Sequence, residues 1–121
     1  MFQESGWINE ALEPFIKIQL TNGSTINCLV DTGFSETIIV PKAFAEANNL
    51  KPGVREFLQA AEDQIFELDT SVADIFWLGD DFSIPIFISE IGDALIGAEM
   101  LIDTILEIDY INSTVKITKP D

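Results

Sequence analysis

Turn-forming residues recur so closely along this 121-residue chain that helices of ordinary length have no room between them. The segments left between turns are short and rich in Ile, Val, Thr and Phe, which favours strands. Residues 15–20 alternate apolar and polar after their first pair, and Asn22-Gly23 reads as a hairpin turn into residues 25–30. Residues 37–40 are β-branched, whereas Pro41 to Leu50 changes to a helical spacing stopped by Lys51-Pro52-Gly53. Residues 54–60 and 64–69 read as two strands around Ala61-Glu62-Asp63, and residues 70–78 and 82–88 as two more joined by Gly79-Asp80-Asp81. Ala94-Leu95-Ile96-Gly97 is an apolar run ending in glycine, and residues 98–103 fit one or two helical turns. Residues 105–110 and 114–118 make a last hairpin around Asn112. The expected fold class is therefore mostly β, a small closed or partly closed barrel with two short helices. Residues 1–13 show no clear period and are set apart as an N-terminal extension of a domain spanning residues 14–118.

Hydrophobic residues make up 47% of the chain, enough for one modest core. The formal net charge is −15, from 21 acidic and 6 basic side chains, and Arg55 is the lone basic residue between positions 54 and 113. Nucleic acids and anionic membranes attract the opposite sign, so neither is expected as a partner. The chain has no histidine, which removes Ser-His-Asp and Cys-His nucleophilic sites and every His-based metal site. Cys28 is the single cysteine and has no internal disulfide partner. A free thiol, with no secretory signal and no apolar run of about 18 residues, leads to the expectation of a cytoplasmic protein. The chemistry left to the chain is that of carboxylates, hydroxyls and backbone.

Leu29-Val30-Asp31-Thr32-Gly33-Phe34-Ser35 concentrates that chemistry. A carboxylate at the end of an apolar strand is costly to bury unless it is paired or hydrogen-bonded. Gly33 lets the backbone turn tightly, and Thr32 adds a hydroxyl. Asp-Thr-Gly alone is an ordinary turn tripeptide. Here it stands between two very apolar strands, with Leu95-Ile96-Gly97 entering a helical segment much later. In this order the sequence resembles the retropepsin-like aspartic proteases of clan AA, the single-lobe relatives of pepsin. Asp31-Thr32-Gly33-Phe34, Trp77-x-Gly79 and Leu95-Ile96-Gly97-Ala98-Glu99-Met100-Leu101 are similar to the small prokaryotic branch whose motif reads Asp-Thr-Gly-Phe.

The resemblance implies a retropepsin-like acid-protease barrel and an aspartic endopeptidase needing neither metal nor organic cofactor. It implies a homodimer acting on polypeptide, in which Asp31 of each copy forms a dyad that activates water. Thr32, Gly33 and Ser35 would support the active loop, and Leu95, Ile96 and Gly97 would pack beneath it. Ala60, Ala61, Glu62, Asp63 and Gln64 would form the flap over substrate. Two departures stand out. The flap tip carries no glycine, and Phe34 cannot hydrogen-bond the outer oxygen of the carboxylate, which leaves Ser35 as the nearby hydroxyl. Terminal strands often make the dimer sheet in this family, so residues 105–110 and 114–118 are the candidates here.

Other features have plainer readings. Cys28 lacks the electropositive setting of a reactive thiol and reads as a buried apolar residue. Trp77 reads as core. Asp80-Asp81 lacks the spacing of a calcium loop and reads as a solvated turn. The glycosylation-like triplets at Asn22 and Asn112 read as turn chemistry. The rival function is a catalytically silent dimerisation or peptide-binding module on the same barrel.

Overall fold

The computed structural model describes residues 1–59, 63–90 and 92–121. Among the described residues the strands are β1 (Phe2–Ile8), β2 (Pro14–Leu20), β3 (Thr25–Val30), β4 (Ile38–Pro41), β5 (Arg55–Gln59), β6 (Ile65–Trp77), β7 (Asp80–Ser89), β8 (Ala94–Ile96), β9 (Ile105–Asp109) and β10 (Thr114–Lys119). One α-helix, α1 (Lys42–Ala47), follows β4, and a 3-10 turn (Ala98–Leu101) follows β8. The two short helical segments fall where the sequence places them.

The sheet order is β5-β6-β7-β4-β8-β3-β2-β1-β10-β9, and a further pairing of β6 with β2 closes the central six strands into a barrel. Alternation fills it. In β2 the side chains of Ile16, Ile18 and Leu20 point inward while Lys17 and Gln19 face water. Ile75 and Trp77 of β6, Ile84 and Ile86 of β7, and Ile96 of β8 complete the interior. Phe44 and Leu50 pack against this core, with α1 held by Pro41 at its start. Cys28 and Trp77 are buried as expected, and the indole of Trp77 donates to the Met100 carbonyl at 3.2 Å.

Two arms extend from the barrel. The first is the β5–β6 hairpin, paired from Arg55↔Asp69 to Gln59↔Ile65. The second is the sheet β1-β10-β9 on the far side of β2. The division of residues 64–78 into two strands is corrected. Ile65–Trp77 is one strand of 13 residues. It pairs with β7 from Asp69↔Ile88 to Trp77↔Asp80, and its two ends take β5 and β2 as second partners. Thr70-Ser71 contains neither glycine nor proline, so nothing breaks the ladder there. The segment before Pro14, which shows no period, carries β1, paired with β10 along Phe2↔Lys119 to Trp7↔Thr114.

Candidate active site

β3 and β4 are not direct neighbours; β8 lies between them. It runs parallel to β3, with Val30↔Ile96, and antiparallel to β4, with Ile38↔Ile96. The loop joining β3 to β4, residues 31–37, therefore arches over the end of β8. Its backbone is tied down at several points. The Asp31 amide donates to the Ile96 carbonyl at 2.9 Å, the Gly97 amide to Thr37 at 2.7 Å, and the Ala98 amide to Phe34 at 2.7 Å. A Cβ on Gly97 would lie 2.1 Å from the Glu36 carbonyl oxygen and 2.7 Å from that of Phe34. Only glycine lets the two segments approach so closely.

Asp31 stands half-buried at the start of the loop. Its Oδ1 accepts the Gly33 amide at 3.0 Å, and the Phe34 amide closes the turn onto the Asp31 carbonyl at 3.1 Å. Thr32, Gly33 and Ser35 are exposed. Among the described residues Ser35 makes no hydrogen bond to the Asp31 carboxylate.

Asp31, Gly33 and Phe34 line a cleft of about 420 Å³ whose other wall is the β5–β6 hairpin. Register accounts for that wall. Leu58 lies opposite Phe66, and Glu56 opposite Leu68, so Leu58, Phe66 and Leu68 share one face of the hairpin. Ile39, Leu95 and Ser89 complete the lining together with Gln59. The arrangement holds one carboxylate beside a mostly apolar trough under a hairpin.

Of the residues singled out from sequence, Asp31 and Gly33 meet in the cleft and Leu95 lines it. Ile96 is fully buried beneath the loop, and Gly97 is packed under Phe34. Of the expected flap tip, Ala60, Ala61 and Glu62 lie outside the described residues. Asp63 has φ of 59°, the left-handed conformation that glycine adopts most readily and Asp tolerates better than most. Its carboxylate accepts from Gln59 Nε2 at 3.3 Å. Gln64 follows between Asp63 and the start of β6.

Phe34, which the sequence offers only as part of the motif, and Thr37 also belong to the site. The Phe34 ring lines the cleft and meets Phe87 edge-on at 6.4 Å. Thr37 is buried, and its hydroxyl donates to the Pro85 carbonyl while its own carbonyl holds Gly97. The Phe after Asp-Thr-Gly was visible in the sequence, but its packing partner lies far along the chain.

The barrel, with an Asp-bearing loop braced by an inserted strand and faced by a hairpin, is a retropepsin-like fold. Solved structures agree. A retropepsin-like aspartic protease from Rickettsia conorii superposes with a TM-score of 0.68 at 18% identity, over 95% of this chain and 89% of that one. EIAV protease complexed with the inhibitor HBY-793 gives 0.59 at 18% identity, over 77% of this chain and 88% of that one. No family model matches the sequence, and no curated protein matches it significantly.

Proposed function

We propose that this chain is an aspartic endopeptidase that works as a homodimer, with Asp31 from each copy meeting across a twofold axis. The observation that carries the reading is the placement of Asp31: a half-buried carboxylate on a braced loop, opening into an apolar cleft faced by a hairpin. A single chain supplies one such carboxylate, so the site is complete only with a second copy. Two carboxylates brought this close share a proton, and the pair titrates as a unit. The ionised member takes a proton from water as it attacks the peptide carbonyl. The protonated member donates to the carbonyl oxygen, and the leaving amine then receives the proton taken from water. The Gly33 amide holds the carboxylate in place, and Thr32, exposed in the single chain, is free to reach the second copy's loop. Leu95, Ile96 and Gly97 keep the loop from sagging into the barrel.

The terminal strands are the natural seam. β10 lies between β1 and β9, which leaves β9 as the open edge for a second copy. The silent-module alternative leans on the glycine-free tip. Asp63 weakens that argument, because it already provides a left-handed residue next to the tip.

The test is cleavage of a peptide library, read by mass spectrometry at high protein concentration between about pH 4 and 7. Cuts that disappear in Asp31→Asn while the variant keeps its melting temperature are the expected result. Cuts that persist in the variant, or none from a confirmed dimer, would reject the reading.

A further inference from the structure

The cleft's lining is selective in a way its size alone does not require. Its apolar walls are Phe34, Ile39, Leu58, Phe66, Leu68 and Leu95, and among the described residues no basic side chain lines it. Several acidic residues stand on the same or adjoining segments. On the hairpin, Glu56 shares the face of Leu58, Phe66 and Leu68, whereas Glu67 points to the opposite face. Asp63 is held to the lining residue Gln59. Glu90 follows Ser89, and Asp93 stands just before β8.

The two cations on adjoining elements are already engaged. The Arg55 guanidinium bonds Glu67 at 3.1 Å and Asp69 at 2.9 Å on the hairpin face turned away from the cleft. Lys42 faces Glu90 at 3.7 Å. An extended peptide lying in the trough thus meets apolar walls, with the carboxylates of Glu56, Asp63 and Asp93 on or next to the elements that form them. Each cationic residue it carries there gains attraction, and each anionic residue meets repulsion that the low-dielectric walls screen poorly.

We infer that the occupant of this cleft is a peptide segment with a large apolar side chain at its centre and lysine or arginine on both flanks. The inference builds on the peptidase reading, naming the substrate that the same site selects.

Paired peptides test it. Both share one apolar centre; one carries lysines two and three residues out on each side, the other glutamates. With the wild-type protein, kcat/KM for the lysine peptide is expected to exceed that for the glutamate peptide by about tenfold at low salt. The ratio should fall towards about twofold at 0.5 M NaCl, where the Debye length is only about 4 Å. The ratio is internal to each buffer, so a change in dimer population cancels. Glu56→Gln combined with Asp93→Asn should reduce the preference severalfold. Equal cleavage, or better cleavage of the glutamate peptide, would overturn the inference while leaving the peptidase reading intact. If the wild type cuts neither peptide, the library result decides the peptidase reading and binding decides the inference. Fluorescence anisotropy of the same labelled peptides should then show tighter binding of the lysine peptide, and equal affinities would overturn it.

Discussion

Gly97 shows how one missing side chain can decide a site. It is buried beneath the Asp31 loop, where an added methyl group would overlap the Glu36 carbonyl oxygen. Backbone cannot yield there as a flexible side chain would, because Glu36 also accepts the Glu99 amide and Thr37 the Gly97 amide. Gly97→Ala is therefore expected to cost on the order of 2 kcal/mol of stability, as overpacking of a tight core does. It should also lower cleavage by more than the lost folded fraction, because the displaced atoms belong to the loop that carries Asp31. Thermal melts beside kcat measured well below the melting temperature separate the two effects; unchanged stability would show the contact to be soft. Cys28 illustrates the opposite case. Burial pushes its thiol up to about 12, so it stays a neutral core group at the pH values where the cleft is expected to work.

At the scale of elements, the β9–β10 hairpin offers a test by pH. The Asp109 carboxyl is held below its ordinary 3.8, first by the Asn112 side-chain amide at 2.8 Å, then by the Asn112 and Ile111 backbone amides. A carboxylate favoured in this way stabilises the fold fully above its unfolded value and loses that contribution as pH falls through the lowered folded value. Asp109→Asn should thus melt lower than wild type at pH 6, with the gap closing as pH falls through the lowered folded value; a gap independent of pH would mean the turn is held by other contacts. This hairpin was legible in the sequence, because Val115 and Ile117 alternate with polar residues and Asn112 marks the turn. β1 was not. Gln3, Glu4, Ser5 and Gly6 carry no alternation, and what holds the strand is tertiary: its ladder with β10, Trp7 stacked on Phe15 at 5.9 Å, and Glu4 accepting the Leu78 amide at 3.0 Å. The site divides in the same way. Asp31 and Gly33 announce themselves by their place at the end of an apolar strand. Leu58, Phe66 and Leu68 read only as strand residues until the hairpin register puts them on one face above the loop.

The whole molecule sets charge against assembly. Each copy brings a net −15 to the proposed dimer, and β9 adds its own share at the seam, with Glu107 exposed mid-strand and Ile105 52% exposed beside it. Pairing β9 with a second β9 around a twofold axis lays apolar Ile105 side chains and like-charged carboxylates along the same edge. Burial of the former favours association, whereas repulsion among the latter opposes it, and only the second is screened by salt. β9 carries two carboxylates, Glu107 and Asp109, and the one cation opposite Glu107, Lys116 on β10, leaves the edge net negative. Association should therefore tighten severalfold between about 20 mM and 0.5 M NaCl, as the Debye length shrinks from about 20 Å to about 4 Å. Glu107→Gln should tighten it at low salt and flatten that dependence. Sedimentation equilibrium across the salt series, with cleavage followed in the same buffers, checks both. A dimer that weakens as salt rises would mean that the copies are held by ion pairs, and the seam would then have to be sought away from β9.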